Sequence, residues 1–160
     1  KNGFSVCRFN FRGVGKSEGK FDNGLGELSD AAAALDFIQR NNSNSNESWV
    51  VGFSFGALIS MQLLMRRPEI FRFISISPQP NIFDFNFLAP CPTSGLVIHG
   101  DQDQLVPNDT MLILKEKLVS QKNITVDFNL IKGANHFFTS KEQDLSESIN
   151  SYIKKESRLF

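Results

Sequence analysis

Apolar residues recur along this chain with two different spacings, and the two alternate. Short dense runs at residues 4–11, 49–51, 71–76, 96–99 and 124–131 have the length and the β-branched and aromatic content of strands. Between them the spacing widens to that of a helix. Leu28, Ala31, Leu35 and Ile38 line one face of 27–40. Met111, Leu114 and Leu118 line one face of 109–120, and Leu145, Ile149, Tyr152 and Ile153 one face of 141–156. An apolar stretch at 57–67 reads as a further helix, stopped by Pro68. Lys154 and Lys155 suit the carboxyl end of the last helix, where the helix dipole favours cations. Residues 13–26 read as a glycine-punctuated loop and 41–48 as a polar one. Repeated strand–helix alternation predicts an α/β fold with a mostly parallel sheet flanked by helices on both faces. No internal repeat and no long linker divides it, so residues 1–160 are expected to form a single domain.

One turn in this pattern carries chemistry. Val50-Val51-Gly52-Phe53-Ser54-Phe55-Gly56-Ala57 runs from a buried strand through G-x-S-x-G into an apolar helix. A serine at such a bend is held at the tip with its hydroxyl presented, and glycines two residues to either side relieve crowding. The first N–H groups of the helix, that of Phe55 foremost, are candidates to stabilise an oxyanion. The bare motif occurs by chance in roughly 5% of chains of this length. Alone it is as consistent with an inert Gly/Ser turn as with a nucleophile. A base and an orienting acid downstream would decide between the two.

The chain has two histidines. His99 ends an apolar strand and reads as a structural residue there. His136 lies in Gly133-Ala134-Asn135-His136-Phe137-Phe138, a loop after the last predicted strand, from which an imidazole can reach a serine on the carboxyl edge of the sheet. Of the acidic residues between Ser54 and His136, Asp101 and Asp103 lie in a loop leaving the end of a buried strand. Either carboxylate could accept the Nδ1–H of His136 and fix its tautomer, leaving the other to cap the turn.

Four segments together resemble the α/β-hydrolase superfamily, and within it the small, lidless, carboxylesterase-like members related to dienelactone hydrolases. They are Arg8-Phe9-Asn10-Phe11-Arg12-Gly13-Val14-Gly15-Lys16-Ser17, the elbow at 52–56, Gly100-Asp101-Gln102-Asp103-Gln104-Leu105-Val106-Pro107, and 133–138. The order Ser, Asp, His is that of the triad on such a sheet. The resemblance of 100–107 to the family's acid loop, G-x-x-D-x-x-V-P, selects Asp103 over Asp101. It implies a serine hydrolase acting on carboxylic esters or related acyl substrates, with Ser54, Asp103 and His136 catalytic, Phe55 as an oxyanion donor, and no cofactor or metal. The alternatives are a non-catalytic scaffold of the same fold, and an acyl transferase or peptidase with the same triad.

In that family two or three strands precede the equivalent of residues 4–11, and the loop after the third supplies a second oxyanion N–H. This sequence opens directly before the family's fourth strand, so the expectation is an incomplete piece of a longer hydrolase. The absent third strand should lie between 4–11 and 49–51. Without it, backbone edges in the middle of the sheet lack partners, which is costly.

Bulk properties narrow the partners. Hydrophobic residues make up 41% and charged residues 21%, with zero net charge, as in an ordinary soluble globular protein. No basic patch points to nucleic acid and no apolar run is long enough to span a bilayer. Two cysteines, Cys7 and Cys91, make no disulfide framework, which favours a reducing compartment and a cytoplasmic location. The expected partner is a small ester-like molecule; oligomeric state stays open. Residues 77–92 sit where such enzymes insert a lid, but four prolines in this short segment leave no room for one. Phe83, Phe85 and Phe87 alternate there, which predicts a short extended stretch. Phe53, Phe83 and Phe137 are candidate pocket walls, with core packing the competing role for Phe83 and Phe137.

Other chemistries fail on spacing. Gly13-Val14-Gly15-Lys16-Ser17 looks like the end of a phosphate-binding loop, but the leading glycine is replaced by Asn10 and no good helix follows. A calcium loop opening at Asp101 would need glycine at Val106 and an acid at Leu112. No His/Cys spacing suits zinc.

Overall fold

The computed structural model describes residues 3–157. Strands β1 (Ser48–Phe53), β2 (Ile70–Ile76), β3 (Gly95–Gly100) and β4 (Val126–Ile131) form one sheet in the order β1-β2-β3-β4. Every neighbouring pair is parallel. Helix α1 (Leu25–Arg40) precedes the sheet, α2 (Phe55–Leu64) joins β1 to β2, α3 (Asn108–Val119) joins β3 to β4, and α4 (Glu142–Ser157) follows.

The period-2 alternation of the strands sorts their side chains between two cores. Phe73, Val97 and Val126 face α2 and α3, packing with Leu58, Met61, Met111 and Leu118, and α1 adds Ala31 and Leu35 to the same layer. Ile74, Ile76, Leu96, Ile98 and Ile131 face the other way, onto Tyr152, Leu145 and Ile149 of α4. Helices therefore cover both faces, three on one and one on the other. β3 is buried along its whole length, which is why Leu96-Val97-Ile98 reads as an unbroken apolar run. Each such side chain contributes about 1.5–3 kcal/mol on burial. An ion pair fastens α4 to β2: Arg72 Nε donates to Glu156 Oε2 at 2.7 Å, with side-chain exposures of 15% and 8%.

Local hydrogen bonding fixes where α1 starts. Gly24 caps it at φ 99°. The buried Glu27 carboxylate accepts the N–H groups of Asp22 and Gly24, each at 2.8 Å. Burial pushes the Glu27 carboxyl up, but these N–H donors and the Arg12 guanidinium outweigh it and hold it below the usual range. Arg12 in turn grips Asp30, with Nη2 at 2.8 Å from Oδ1 and its backbone N–H at 2.9 Å from Oδ2. The loop between Arg12 and Gly24 is thus pinned at both ends to α1.

The sheet departs from expectation at its first edge. Residues 4–11 form no strand. They are not paired with β1, whose hydrogen-bonded neighbour in the sheet is β2. Regular strand structure is maintained by a ladder, and here the segment is attached through side chains instead. Phe4 packs edge-on against Trp49 at 5.3 Å, and Phe11 against Phe55 at 5.8 Å. The segment 83–87 is not extended either. Asp84 Oδ1 accepts the Asn86 N–H at 2.7 Å and starts a 3₁₀ turn, Asn86–Leu88. That turn buries Phe85 and stacks Phe87 on it at 5.9 Å. Short polar side chains that bond their own backbone override alternation of this kind. Helix α2 begins two residues earlier than the apolar pattern indicates, because the elbow leads straight into it, and ends before Pro68.

Candidate active site

Three loops at the carboxyl ends of β1, β3 and β4 meet at one point. The first is the bend between β1 and α2. Ser54 has φ 54° and ψ −117°, a backbone state that non-glycine residues rarely occupy. Its N–H is held by the Ile76 carbonyl at 2.9 Å, so β2 braces the bend. The two flanking glycines are not equivalent. A Cβ on Gly52 would lie 2.3 Å from the Gly56 carbonyl oxygen and 2.4 Å from Ser60 Oγ, so no other residue fits there. A Cβ on Gly56 would meet nothing within 4 Å, so crowding does not explain that position. Phe55 is the first residue of α2, and its N–H belongs to the helix turn that has no intrahelical acceptors.

The second loop leaves β3 and buries the Asp103 side chain completely. Its Oδ1 accepts the N–H groups of Leu105 at 2.8 Å and Val106 at 2.9 Å. Its Oδ2 lies 2.7 Å from His136 Nδ1. The third loop follows β4 and holds His136 at 3% exposure, with Nε2 2.9 Å from Ser54 Oγ. An ionised carboxylate only accepts hydrogen bonds, so the imidazole proton sits on Nδ1. Nε2 then offers its lone pair as acceptor to the Ser54 hydroxyl. The three side chains form one continuous hydrogen-bonded row from carboxylate to hydroxyl.

Asp101 bridges two loops. Rather than capping its own turn, its Oδ1 accepts the Gly133 N–H at 2.6 Å, linking the Asp103 loop to the His136 loop. The Gln102 N–H adds a bond to the Ala134 carbonyl at 3.0 Å. A Cβ on Gly100 would stand 2.3 Å from that same carbonyl oxygen, so glycine there is what lets the two loops touch. The Ser77 hydroxyl donates to the His136 carbonyl at 3.3 Å.

His99 also stands closer to the site than a strand-end role implies. It is fully buried, with Nδ1 3.7 Å from Asp103 Oδ2. Burial lowers its affinity for a proton, and this outweighs the opposing pull of Asp103. A second imidazole therefore flanks the carboxylate.

Of the candidate pocket residues, Phe53 and Phe137 border the imidazole. Their ring centroids lie 5.4 and 5.1 Å from that of His136 and 6.1 Å from each other. Phe83 is partly buried and leans on Phe55 at 5.9 Å, on the far side of Ser54 in sequence. Among the described residues no group of three or more His, Cys, Asp or Glu is arranged to hold a metal ion. No helix among them is long and apolar enough to cross a membrane.

Residues 1–89 match the family model described as serine aminopeptidase, S33. A crystal structure of a protein of unknown function from Agrobacterium tumefaciens, described as a candidate α/β hydrolase, superposes with a TM-score of 0.91 at 53% identity, covering 94% of this chain and 69% of that one. The chain belongs to the α/β-hydrolase family. A serine-hydrolase member from Xanthomonas campestris, described as having no lid, superposes with a TM-score of 0.82 at 33% identity, covering 92% of this chain and 65% of that one. An uncharacterized Rickettsia prowazekii protein is 51% identical over 156 residues, 95% of this chain. This α/β-hydrolase chain spans 66% of the length of that relative. The segment between β2 and β3, where lids are inserted in the family, carries the 3₁₀ turn Asn86–Leu88 as its one helical element.

Proposed function

We propose that this protein is a serine hydrolase of carboxylic esters, with Ser54 as nucleophile, His136 as general base and acid, and Asp103 as the group that orients and stabilises the imidazolium. The observation that carries this reading is the unbroken row of contacts, 2.7 Å from Asp103 to His136 and 2.9 Å from His136 to Ser54. Ser54 Oγ bonds to the ester carbonyl carbon as its proton passes to His136 Nε2. The carbonyl oxygen becomes an oxyanion, and the Phe55 N–H is one donor to it. Collapse breaks the bond to the alcohol oxygen, which takes the proton from Nε2 and leaves. Water then gives its proton to Nε2 and attacks the acyl carbon; return of that proton to Oγ releases the acid and restores the enzyme.

The bracing of each loop supports the same reading. Asp103 is fixed by two backbone N–H groups before it meets the imidazole, so little reorganisation is needed when positive charge develops there. The description of the matched family model favours a second acceptor, the amide bond at the amino end of a peptide. A panel of short-chain esters and aminoacyl anilides, run on wild type and Ser54→Ala, separates the readings. Ester turnover abolished in the variant supports the first, anilide turnover alone supports the second, and turnover unchanged in the variant removes both.

A further inference from the structure

The loop that carries His136 places two adjacent phenylalanines in opposite environments. Phe138 is 1% exposed and packs in the core beneath α4, whereas Phe137 is 65% exposed. Phe138 achieves this at φ 56°, a backbone region that bulky residues seldom occupy. The turn is held by Asn135 Oδ1, which accepts the N–H groups of Phe137 at 3.1 Å and Thr139 at 3.0 Å. Backbone strain is therefore accepted in a turn that leaves a large apolar ring in water, directly beside the imidazole. Phe53 repeats the arrangement from the other side. It is the last residue of β1, 40% exposed, and its ring also borders His136. Phe53, His136 and Phe137 form a corner of tilted rings, the two phenyl planes inclined at 53°.

The chemistry of the step says which part of a substrate meets this corner. The proton that His136 takes from Ser54 must be passed to the departing alcohol oxygen, so that oxygen has to come within hydrogen-bond reach of Nε2. Rings that flank the imidazole therefore flank the alcohol half of the ester. We infer that Phe53 and Phe137 are specificity-determining residues that receive an aromatic ring on the alcohol side, so that arylmethyl esters are the favoured substrate class. This rests on the assignment of Ser54 and His136 made above. A saturated ring of the same size removes nearly the same area from water, so the hydrophobic contribution cancels in a matched comparison. What remains is the edge-to-face attraction between aromatic rings.

The test compares benzyl acetate with cyclohexylmethyl acetate by pH-stat titration, using wild type, Phe53→Leu and Phe137→Leu. Wild type is expected to favour the benzyl ester in kcat/KM by roughly 2- to 12-fold. Each leucine variant keeps an apolar side chain but no ring, and is expected to move that ratio toward one. Labelling of wild-type Ser54 by a small fluorophosphonate is measured in parallel. A labelled, active wild type with a ratio near one overturns the aryl assignment and leaves the hydrolase reading standing, as does a ratio unmoved in both variants. A wild type that is neither labelled nor active overturns both. The wild-type ratio needs no variant to fold.

Discussion

Asp101 and Gly133 join the two loops on which the candidate triad depends: the carboxylate Oδ1 accepts the glycine N–H at 2.6 Å. One loop carries Asp103 two residues on, and the other carries His136 three residues on. Asp101 touches neither the hydroxyl nor the imidazole, so it is a positioning residue. Asp101→Ala should lower kcat by about 10- to 100-fold with KM little changed, the effect of a small misplacement of a reacting group. Asp101→Asn retains an acceptor oxygen and should stay within about 3-fold of wild type, since an amide oxygen keeps the bond at reduced strength. Steady-state kinetics on a single ester checks both. An alanine variant with wild-type kcat would mean the bond is incidental.

Asp103→Asn should be more severe. The side chain keeps its shape and can still accept the Leu105 and Val106 N–H groups through its oxygen. Its amide nitrogen then faces His136 Nδ1 and donates to it, which forces the imidazole proton onto Nε2, the atom that must accept from Ser54. The expected loss in kcat is on the order of 10⁴, as for the same exchange in a serine protease. Circular dichroism should show a folded protein, so the loss can be read as catalytic.

The two elbow glycines should part company. Gly52→Ala forces a methyl against the Gly56 carbonyl oxygen and Ser60 Oγ, at 2.3 and 2.4 Å. Overpacking of this kind costs about 1–3 kcal/mol or more, and it strikes the backbone that sets Ser54. Gly56→Ala meets open space and gains helix propensity of about 0.8–1 kcal/mol. Urea denaturation of the pair should therefore move the midpoints in opposite directions.

The loop at Glu27 makes stability sensitive to acid. The Glu27 and Asp30 carboxyls are both held below their usual range, Glu27 by N–H donors that overcome burial and Asp30 chiefly by its hydrogen bond to Arg12. A carboxyl whose folded value is depressed contributes stability above its unfolded value, and that contribution disappears as pH falls through the folded value. Glu27→Gln should be less stable than wild type at pH 7. The difference should shrink progressively below about pH 4, where the unfolded carboxylate begins to bind protons. Denaturation midpoints at several pH values check the sign; a gap that widens in acid would contradict it.

The two thiols should also separate. Cys91 is buried, and burial pushes its thiol up, whereas Cys7 is exposed. Brief treatment with iodoacetamide should modify Cys7 well before Cys91, read by peptide mass spectrometry.

These elements differ in how far the sequence foretold them, for physical reasons. The parallel sheet was legible because β3 and most of β2 are buried on both faces, and double burial writes a continuous apolar run. Ser54 and His136 were nameable because the turns that present them carry glycine at set offsets, whereas the residues alone left Asp101 and Asp103 open and only the resemblance of 100–107 to the family's acid loop chose Asp103. The structure brings Ser54, Asp103 and His136 within hydrogen-bond distance. Residues 4–11 have strand composition but no ladder, since composition describes a side-chain surface and not the presence of a backbone partner. The Asp101–Gly133 and His99–Asp103 relationships were hidden for a different reason. Asp101 and Gly133 are 32 residues apart, and His99 is placed by how β3 feeds its loop, so neither leaves a local pattern.

The central claim is that Ser54 is an activated nucleophile. It is tested most directly by incubating the purified protein with a fluorophosphonate, in parallel with Ser54→Ala and His136→Ala, and locating the adduct by tandem mass spectrometry. The account predicts one phosphonyl group on the peptide carrying Ser54 in wild type, none in Ser54→Ala, and strongly slowed labelling in His136→Ala. A folded wild type that stays unlabelled, or one labelled at another residue with Ser54 untouched, would contradict it.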